Sequence, residues 1–130
     1  MRSAPVLALL LLLAACEGPV GPAGENGSLA LESLTLRLPV PASWTNNGPV
    51  EQWSAPAPLL TAQDIEAGFV VAYTDAKTPG SWMPLPLEFA LATLTVVYEP
   101  GLVTVVIIKD QDKSLAYLYE GYRVRIAVAR

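Results

Sequence analysis

Apolar and polar positions between residues 29 and 130 alternate in several short stretches, and this period of two is typical of half-buried β-strands. The alternation is clearest at residues 34–38, 69–74 and 122–128. Leu29 and Leu31 are out of phase with the first stretch, which predicts a bulge near residues 32–33. The pattern therefore predicts short strands that each turn one face towards a core.

One stretch, residues 102–108, is apolar at nearly every position. Such a run predicts a central strand that is covered on both faces. The preceding segment, residues 99–102, has Pro and Gly at the central positions of a type II turn. We therefore expect residues 94–98 and 102–108 to form a hairpin.

Residues 42–63 predict a long excursion between strands. Turn-forming residues fill its first part, and Pro56 and Pro58 argue against a central strand. The end of the excursion predicts one helical turn that is capped by Thr61 and ended by Gly68. Five or six short strands with Pro- and Gly-rich connections predict an all-β fold, a small antiparallel β-sandwich. A five-stranded barrel is the alternative.

The first residues follow a different pattern. Residues 6–15 are ten uncharged apolar or small residues that follow the single basic residue Arg2. A membrane-spanning helix needs about 20 such residues, so this run predicts the apolar region of a signal peptide. We expect the signal peptide to occupy residues 1–15 and Cys16 to become the first residue of the mature chain.

A Gly- and Pro-rich segment at residues 17–28 follows this cysteine. It contains three Gly-X-Y triplets, from Gly18 to Asn26, and then Gly27. Glycine at every third position is what a collagen triple helix requires, but three triplets are few. We expect a collagen-like linker at residues 16–28 that holds a monomer about 35–40 Å from the membrane, and a trimer is the alternative. The remaining residues, 29–130, form the β-sandwich domain.

The motif Leu13-Ala14-Ala15-Cys16 resembles the bacterial lipobox, in which the cysteine thiol is acylated with a diacylglyceryl group. With its Gly-X-Y segment, the chain is similar to uncharacterised short bacterial lipoproteins in which such a segment leads into a small β domain. The resemblance implies attachment to the membrane through lipid on Cys16 and a location in the cell envelope. Glu17, in place of Asp, implies the outer membrane. An ordinary secretory signal followed by an incidental cysteine is the alternative.

Composition narrows the chemistry of the mature chain. Without residues 1–15 it has seven Lys and Arg against twelve Asp and Glu, a formal net charge of −5. This balance argues against a nucleic-acid partner. The chain has no histidine and one cysteine, which excludes histidine-based triads, Cys–His dyads and Cys/His zinc sites within one chain. We expect no cofactor, no metal and no enzymatic activity. A carboxylate-based hydrolase would have to use Glu88, Glu99, Asp110 and Asp112.

Two groups of side chains are candidate binding residues. Trp44 and Trp53 lie in the Pro-rich excursion and, if exposed, would bind a glycan or a peptide. We expect Trp82 to pack between strands. Arg123 and Arg125 are expected to line a polar outer face, with binding of phosphate or carboxylate as the alternative.

The sequence thus predicts a lipid-anchored envelope protein that displays a β-sandwich for structural or recognition purposes. The alternatives are an accessory subunit of an envelope complex that docks through a sheet edge and a glycan- or peptide-binding module that uses exposed tryptophan.

Overall fold

The computed structural model describes residues 30–89 and 91–130, which form nine strands, two short α-helices and a 3-10 helix at Pro41–Ser43. The predicted signal peptide, Cys16 and the collagen-like linker lie outside the described residues. The strands are β1 Leu31–Arg37, β2 Thr45–Asn47, β3 Val50–Ala57, β4 Phe69–Thr74, β5 Met83–Pro84, β6 Leu87–Phe89, β7 Ala92–Glu99, β8 Gly101–Lys109 and β9 Arg123–Ala129. The helices are α1 Ala62–Ala67 and α2 Ala116–Tyr119.

The strands form two antiparallel sheets. One has four strands in the order β1-β9-β4-β5, and the other has five strands in the order β2-β3-β8-β7-β6. The sheets are not closed into a barrel. The predicted β-sandwich is therefore confirmed, and the barrel alternative is not.

The core lies between the inner faces of the two sheets. Alternate residues point inwards, as the period of two predicts, so that strand β9 buries Val124, Ile126 and Val128. Strand β8 of the five-stranded sheet buries Val103, Val105 and Ile107 against the same core. Side chains from the connections complete the core, namely Leu38, Leu60, Leu115 and Tyr119.

Two local predictions are confirmed. Thr61 caps α1 through a capping box with Asp64, and the helix ends at Gly68. Strands β7 and β8 form the expected hairpin, in which Gly101 has φ +75°, the left-handed conformation that a type II turn requires.

The excursion at residues 42–63 is a correction, because it contains β2 and β3. Strand β2 pairs only with the first part of β3. The part that contains Pro56 pairs with β8 on one side and has no neighbouring strand on the other, so it is an edge of the sheet. Proline is compatible with an edge, because on the unpaired side of the strand no backbone N–H group is needed for a hydrogen bond to a neighbouring strand. The prolines therefore exclude a fully paired strand and not a strand as such.

Two smaller predictions were also wrong. Strand β1 pairs with β9 without interruption from Leu31 to Arg37, so there is no bulge, and Leu31 simply points outwards with 71% exposure. Strand β8 is central, as predicted, but its outer face is only partly covered, because Val106 is 9% exposed and Ile108 is 49% exposed.

Candidate functional site

The outer face of the four-stranded sheet changes from apolar to cationic along its strands. At one end, Leu31 and Phe69 flank Ala129, and these two large side chains are 71% and 66% exposed. At the other end, Arg37 pairs with Arg123 across β1 and β9. The outward-facing residues of β1, β4 and β9 thus form a surface that is apolar at one end and cationic at the other.

Positive charge is concentrated at this second end. Four of the seven Lys and Arg residues downstream of Cys16 lie here, namely Arg37, Lys77, Arg123 and Arg125. A cleft of about 800 Å³, which we call the cationic cleft, is lined by Arg37, Asp75, Lys77, Pro79, Glu120, Gly121 and Arg123. Its lining carries three cations and two carboxylates, whereas the chain as a whole has a formal net charge of −4.

Asp75 organises the floor of the cationic cleft. Its side chain is buried and accepts hydrogen bonds from the backbone N–H groups of Arg123 and Lys77, at 3.0 and 3.3 Å, and from Arg123 Nε at 2.5 Å. Burial acts to raise the pKa of Asp75, but the hydrogen bonds from Arg123 and Lys77 outweigh it and hold the pKa below its usual value. Asp75 is therefore a carboxylate that fixes Arg123 in place.

The guanidinium of Arg123 is only partly used by this ion pair. Within residues 30–89 and 91–130, Nε makes the hydrogen bond to Asp75, whereas neither terminal nitrogen has a hydrogen-bond partner. The side chain is 41% exposed. Arg123 can therefore donate to a further anion while it remains bound to Asp75.

The loop after β4 holds Lys77 in a strained backbone conformation. Ala76 and Lys77 have φ values of 44° and 65°, a region that residues with side chains rarely adopt. Lys77 Nζ lies 5.6 Å from the ring centroid of Tyr122, which is within the range of a cation–π contact. Such strain is often found where a side chain must be held in a functional position.

Arg37 and Lys77 approach the same point beside Gly121. Its φ of +79° is itself unfavourable for other residues, and a Cβ at this position would lie 3.5 Å from Arg37 Nη2 and 3.7 Å from Lys77 Cε. Arg37 is exposed and forms no ion pair with any residue that the structure describes. Arg37, Lys77 and Arg123 can therefore all donate to one anionic group in the cleft.

Trp82 extends this surface along β9. The guanidinium carbons of Arg125 and Arg123 lie 4.0 and 5.4 Å from its ring centroid, so the indole packs on two cations of the outer face. The outward orientation expected for both arginines is confirmed. Trp82 does not pack between strands in the core, as was expected, but lies on the outer face of the sheet against these two arginines.

Trp44 and Trp53 do not form the exposed pair on which their candidate binding role depended. Trp44 is 8% exposed within the core, and Trp53 is half-buried against it, with 6.4 Å between the ring centroids. The physical reason is β3, whose period of two turns Trp53 inwards together with Ala55 and Ala57. Trp44 therefore packs in the core and Trp53 packs against it.

The four candidate carboxylates of a hydrolase are all exposed. Glu99 and Asp110 flank the nine-residue strand β8 at opposite ends, which separates them by about 27 Å. Glu88 pairs with Thr93 on the outer face of the five-stranded sheet. Among the described residues, no group of three or more His, Cys, Asp or Glu side chains is arranged to hold a metal ion.

Comparison with protein-family models, with curated proteins and with solved structures finds no match for this chain. In the described ranges, no helix is long and apolar enough to cross a membrane. Function is therefore inferred from the chain's own motifs and from the geometry of its surface.

Proposed function

We propose that this protein is a lipid-anchored component of the bacterial cell envelope that displays its β-sandwich as a recognition module, without a catalytic step. The observation that carries the proposal is the motif Leu13-Ala14-Ala15-Cys16 at the end of a ten-residue apolar run. Each buried CH₂ of an acyl chain contributes about 0.8 kcal/mol, and two or more chains are needed for durable anchoring. Glu17 favours the outer membrane as the destination.

The direction of β1 supports a role in recognition. The chain that comes from Cys16 reaches the sandwich at Ala30, beside Leu31, and Arg37 lies at the opposite end of the seven-residue strand. This distance is about 20 Å. The cationic cleft therefore lies at the end of the sheet away from the tether, where an anionic group on an envelope component would meet it.

A sheet-edge docking role is a second candidate, because the described edge strands are unequal. Strand β1 presents an unpaired edge of seven residues, whereas β2, β5 and β6 have three, two and three residues. A long open edge can accept a strand from a partner through main-chain hydrogen bonds. The two candidates are compatible, since the cleft lies on a face and the docking site on an edge.

The anchor is tested by replacing the cysteine. In a bacterial host, we expect Cys16→Ser to abolish incorporation of labelled fatty acid, to leave the signal peptide uncleaved by lipoprotein processing, and to remove acyl-dependent membrane retention. Incorporation is measured by labelling, and the start of the chain by intact-mass analysis. Glu25→Gln, a polar change in the same linker, is the matched control and should leave all three unchanged. Normal maturation and membrane retention of Cys16→Ser would refute the anchor.

A further inference from the structure

The charges of the cationic cleft are compensated unequally. Arg123 is paired with the buried carboxylate of Asp75. Arg37 and Lys77 are exposed, and neither forms an ion pair with any residue that the structure describes. Glu120, the second carboxylate of the lining, is exposed and is likewise in no described ion pair. The cleft therefore presents two cations that an anionic ligand can neutralise, and one acid that opposes such a ligand.

The three cations reach the cleft from three separate segments of the fold. Arg37 ends β1, Lys77 lies in the loop after β4, and Arg123 begins β9. A phosphate monoester offers three terminal oxygens as strong acceptors, so each cation can bind an oxygen of its own. A carboxylate offers two oxygens and a single charge. The arrangement of the donors thus favours phosphate over carboxylate.

We propose that the cationic cleft binds the doubly charged phosphate group of a phosphate monoester. The charge of such a group, close to −2 at pH 7, matches the two cations that have no described ion pair. The volume of about 800 Å³ leaves room for part of the molecule that carries the phosphate. This ligand class rests on the recognition role that we propose above and does not depend on the lipid anchor.

The position of the cleft indicates where the phosphate comes from. A phosphate monoester can belong to a lipid headgroup or to a molecule outside the bilayer. The cleft lies about 20 Å from the point where the chain from Cys16 enters β1, at the end of the sheet away from the tether. We therefore assign the ligand to a molecule that is not a lipid of the anchoring membrane.

The pH dependence of binding separates a doubly charged ligand from a singly charged one. The ionisable side chains that line the cleft or contact its cations are Arg37, Asp75, Lys77, Glu120, Tyr122 and Arg123. None is a histidine, the side chain whose ordinary charge change lies between pH 5 and 8. A phosphate monoester, in contrast, loses its second proton with a pKa of about 6. A change in affinity between pH 5 and 7.5 therefore reports the charge of the ligand.

The test compares methyl phosphate with methyl sulfate, which has the same three terminal oxygens but one negative charge at both pH values. The full chain in phosphatidylcholine nanodiscs is titrated with each compound and followed by NMR, with empty nanodiscs as the blank. We expect methyl phosphate to bind about tenfold more tightly at pH 7.5 than at pH 5, where only about a tenth of it is doubly charged. Methyl sulfate should bind equally at both. No saturable binding, or an affinity for methyl phosphate that does not change with pH, would overturn the proposal.

Two substitutions at exposed positions locate the ligand in the cleft. Glu120→Gln removes the opposing charge and should tighten binding of methyl phosphate at pH 7.5 about threefold. Lys77→Gln removes a cation and should weaken it about tenfold. Glu99→Gln, the matched control, removes the same charge as Glu120→Gln at an exposed position outside the lining and should change affinity less than about 1.5-fold. Equal tightening by the two glutamate variants, or unchanged binding by Lys77→Gln, would place the ligand elsewhere and contradict the assignment.

Phosphatidic acid in the nanodisc tests the source of the ligand, because its headgroup is a phosphate monoester. We expect it not to compete with methyl phosphate, and competition would overturn the assignment to a molecule outside the anchoring membrane. The lipid anchor is tested separately, by fatty-acid labelling of Cys16. A labelled chain that does not bind methyl phosphate would reject the ligand class alone, and an unlabelled chain that binds it would reject the anchor alone.

Discussion

Two buried carboxylates, Glu51 and Asp75, differ in what surrounds the cation that each one faces. Both are 1% exposed. Glu51 lies on the inner face of β3, 3.9 Å from Lys109 Nζ, and both side chains of this pair are inaccessible to solvent. Asp75 pairs with Arg123, whose side chain is 41% exposed at the cationic cleft. The first pair is enclosed by the fold, and the second opens onto a surface.

The hydrogen bonds of the enclosed pair are directed entirely into the fold. Lys109 Nζ donates to Asn46 Oδ1 and to the carbonyl oxygens of Gly48 and Gln111, at 3.1, 2.6 and 3.2 Å. Glu51 accepts from the Ser114 hydroxyl and from the Leu115 N–H group. The pair thereby holds the β2–β3 hairpin and the loop after β8 in place.

This difference separates a structural ion pair from one that can also bind a ligand. The three donors of an ammonium group are all satisfied at Lys109. Arg123 uses Nε and its backbone N–H group for Asp75 and has terminal nitrogens left over at the cleft. The direction of the unused hydrogen-bond donors, more than burial of the acid, indicates where an anion would bind.

Breaking the enclosed pair should have the largest effect. Lys109→Met leaves Glu51 buried without its cation, and we expect the free energy of unfolding in urea to fall by about 3–5 kcal/mol. Adding Glu51→Gln should recover part of this loss, because the second change removes the isolated charge and retains an acceptor for Leu115. A loss below about 1 kcal/mol for Lys109→Met would show that solvent reaches Glu51.

Breaking the open pair should cost less. Asp75→Asn removes the charge but leaves one oxygen acceptor, and the partly exposed Arg123 can be hydrated, so we expect a loss of about 1–3 kcal/mol in the same measurement. Asp110→Asn, at an exposed carboxylate, is the control and should change stability by less than about 0.5 kcal/mol. If Asp75→Asn lowered the free energy of unfolding no more than Asp110→Asn does, Asp75 would not be the residue that organises the cleft.

The pH dependence of stability gives a finer test of the open pair. Because the pKa of Asp75 is lowered in the folded state, its contribution to stability is complete above the usual pKa of about 3.8 and is lost as the pH falls through the lower folded value. The stability difference between the unmodified chain and Asp75→Asn should therefore be constant from pH 7 to 5 and shrink below about pH 4. Arg130 and Thr61 also lower the pKa of Asp64, so only this difference isolates Asp75. A difference that stayed constant down to pH 2.5 would be inconsistent with the ion pair.

Local patterns were enough to predict much of the fold. The β7–β8 hairpin depends on Pro100 and Gly101 at adjacent positions, and α1 on Thr61 and Gly68 at its ends. Strand β3 was missed because Pro56 indicates a break unless the edge position of that part of the strand is known. The inward alternation of Glu51, Trp53, Ala55 and Ala57 is a signal that could have identified this strand and the buried setting of its tryptophan.

The cationic cleft was only half predictable. Arg123 and Arg125 share one face of a clearly alternating strand, so their joint exposure follows from the period of two. Arg37 and Lys77 are separated from them by 46 or more positions along the chain, and they join the site through the β1–β9 pairing and the strained loop after β4. No pattern within a single segment indicates either contact.

Removing Arg37, a cleft cation that forms no ion pair with any described residue, should change binding with the smallest effect on stability. Arg37→Gln should alter the free energy of unfolding by less than about 0.5 kcal/mol, because the side chain is exposed. In an NMR titration of the full chain with pyrophosphate at low ionic strength, the same change should weaken binding about tenfold, the usual effect of losing one charged hydrogen bond. Lys113→Gln removes the same charge from an exposed position outside the cleft lining and should weaken binding less than about twofold. A localised site would be weakened by the loss of Arg37 and not by the loss of Lys113, although both changes remove one positive charge. Equal weakening by the two variants would therefore mean that net charge, and not the cleft, governs binding.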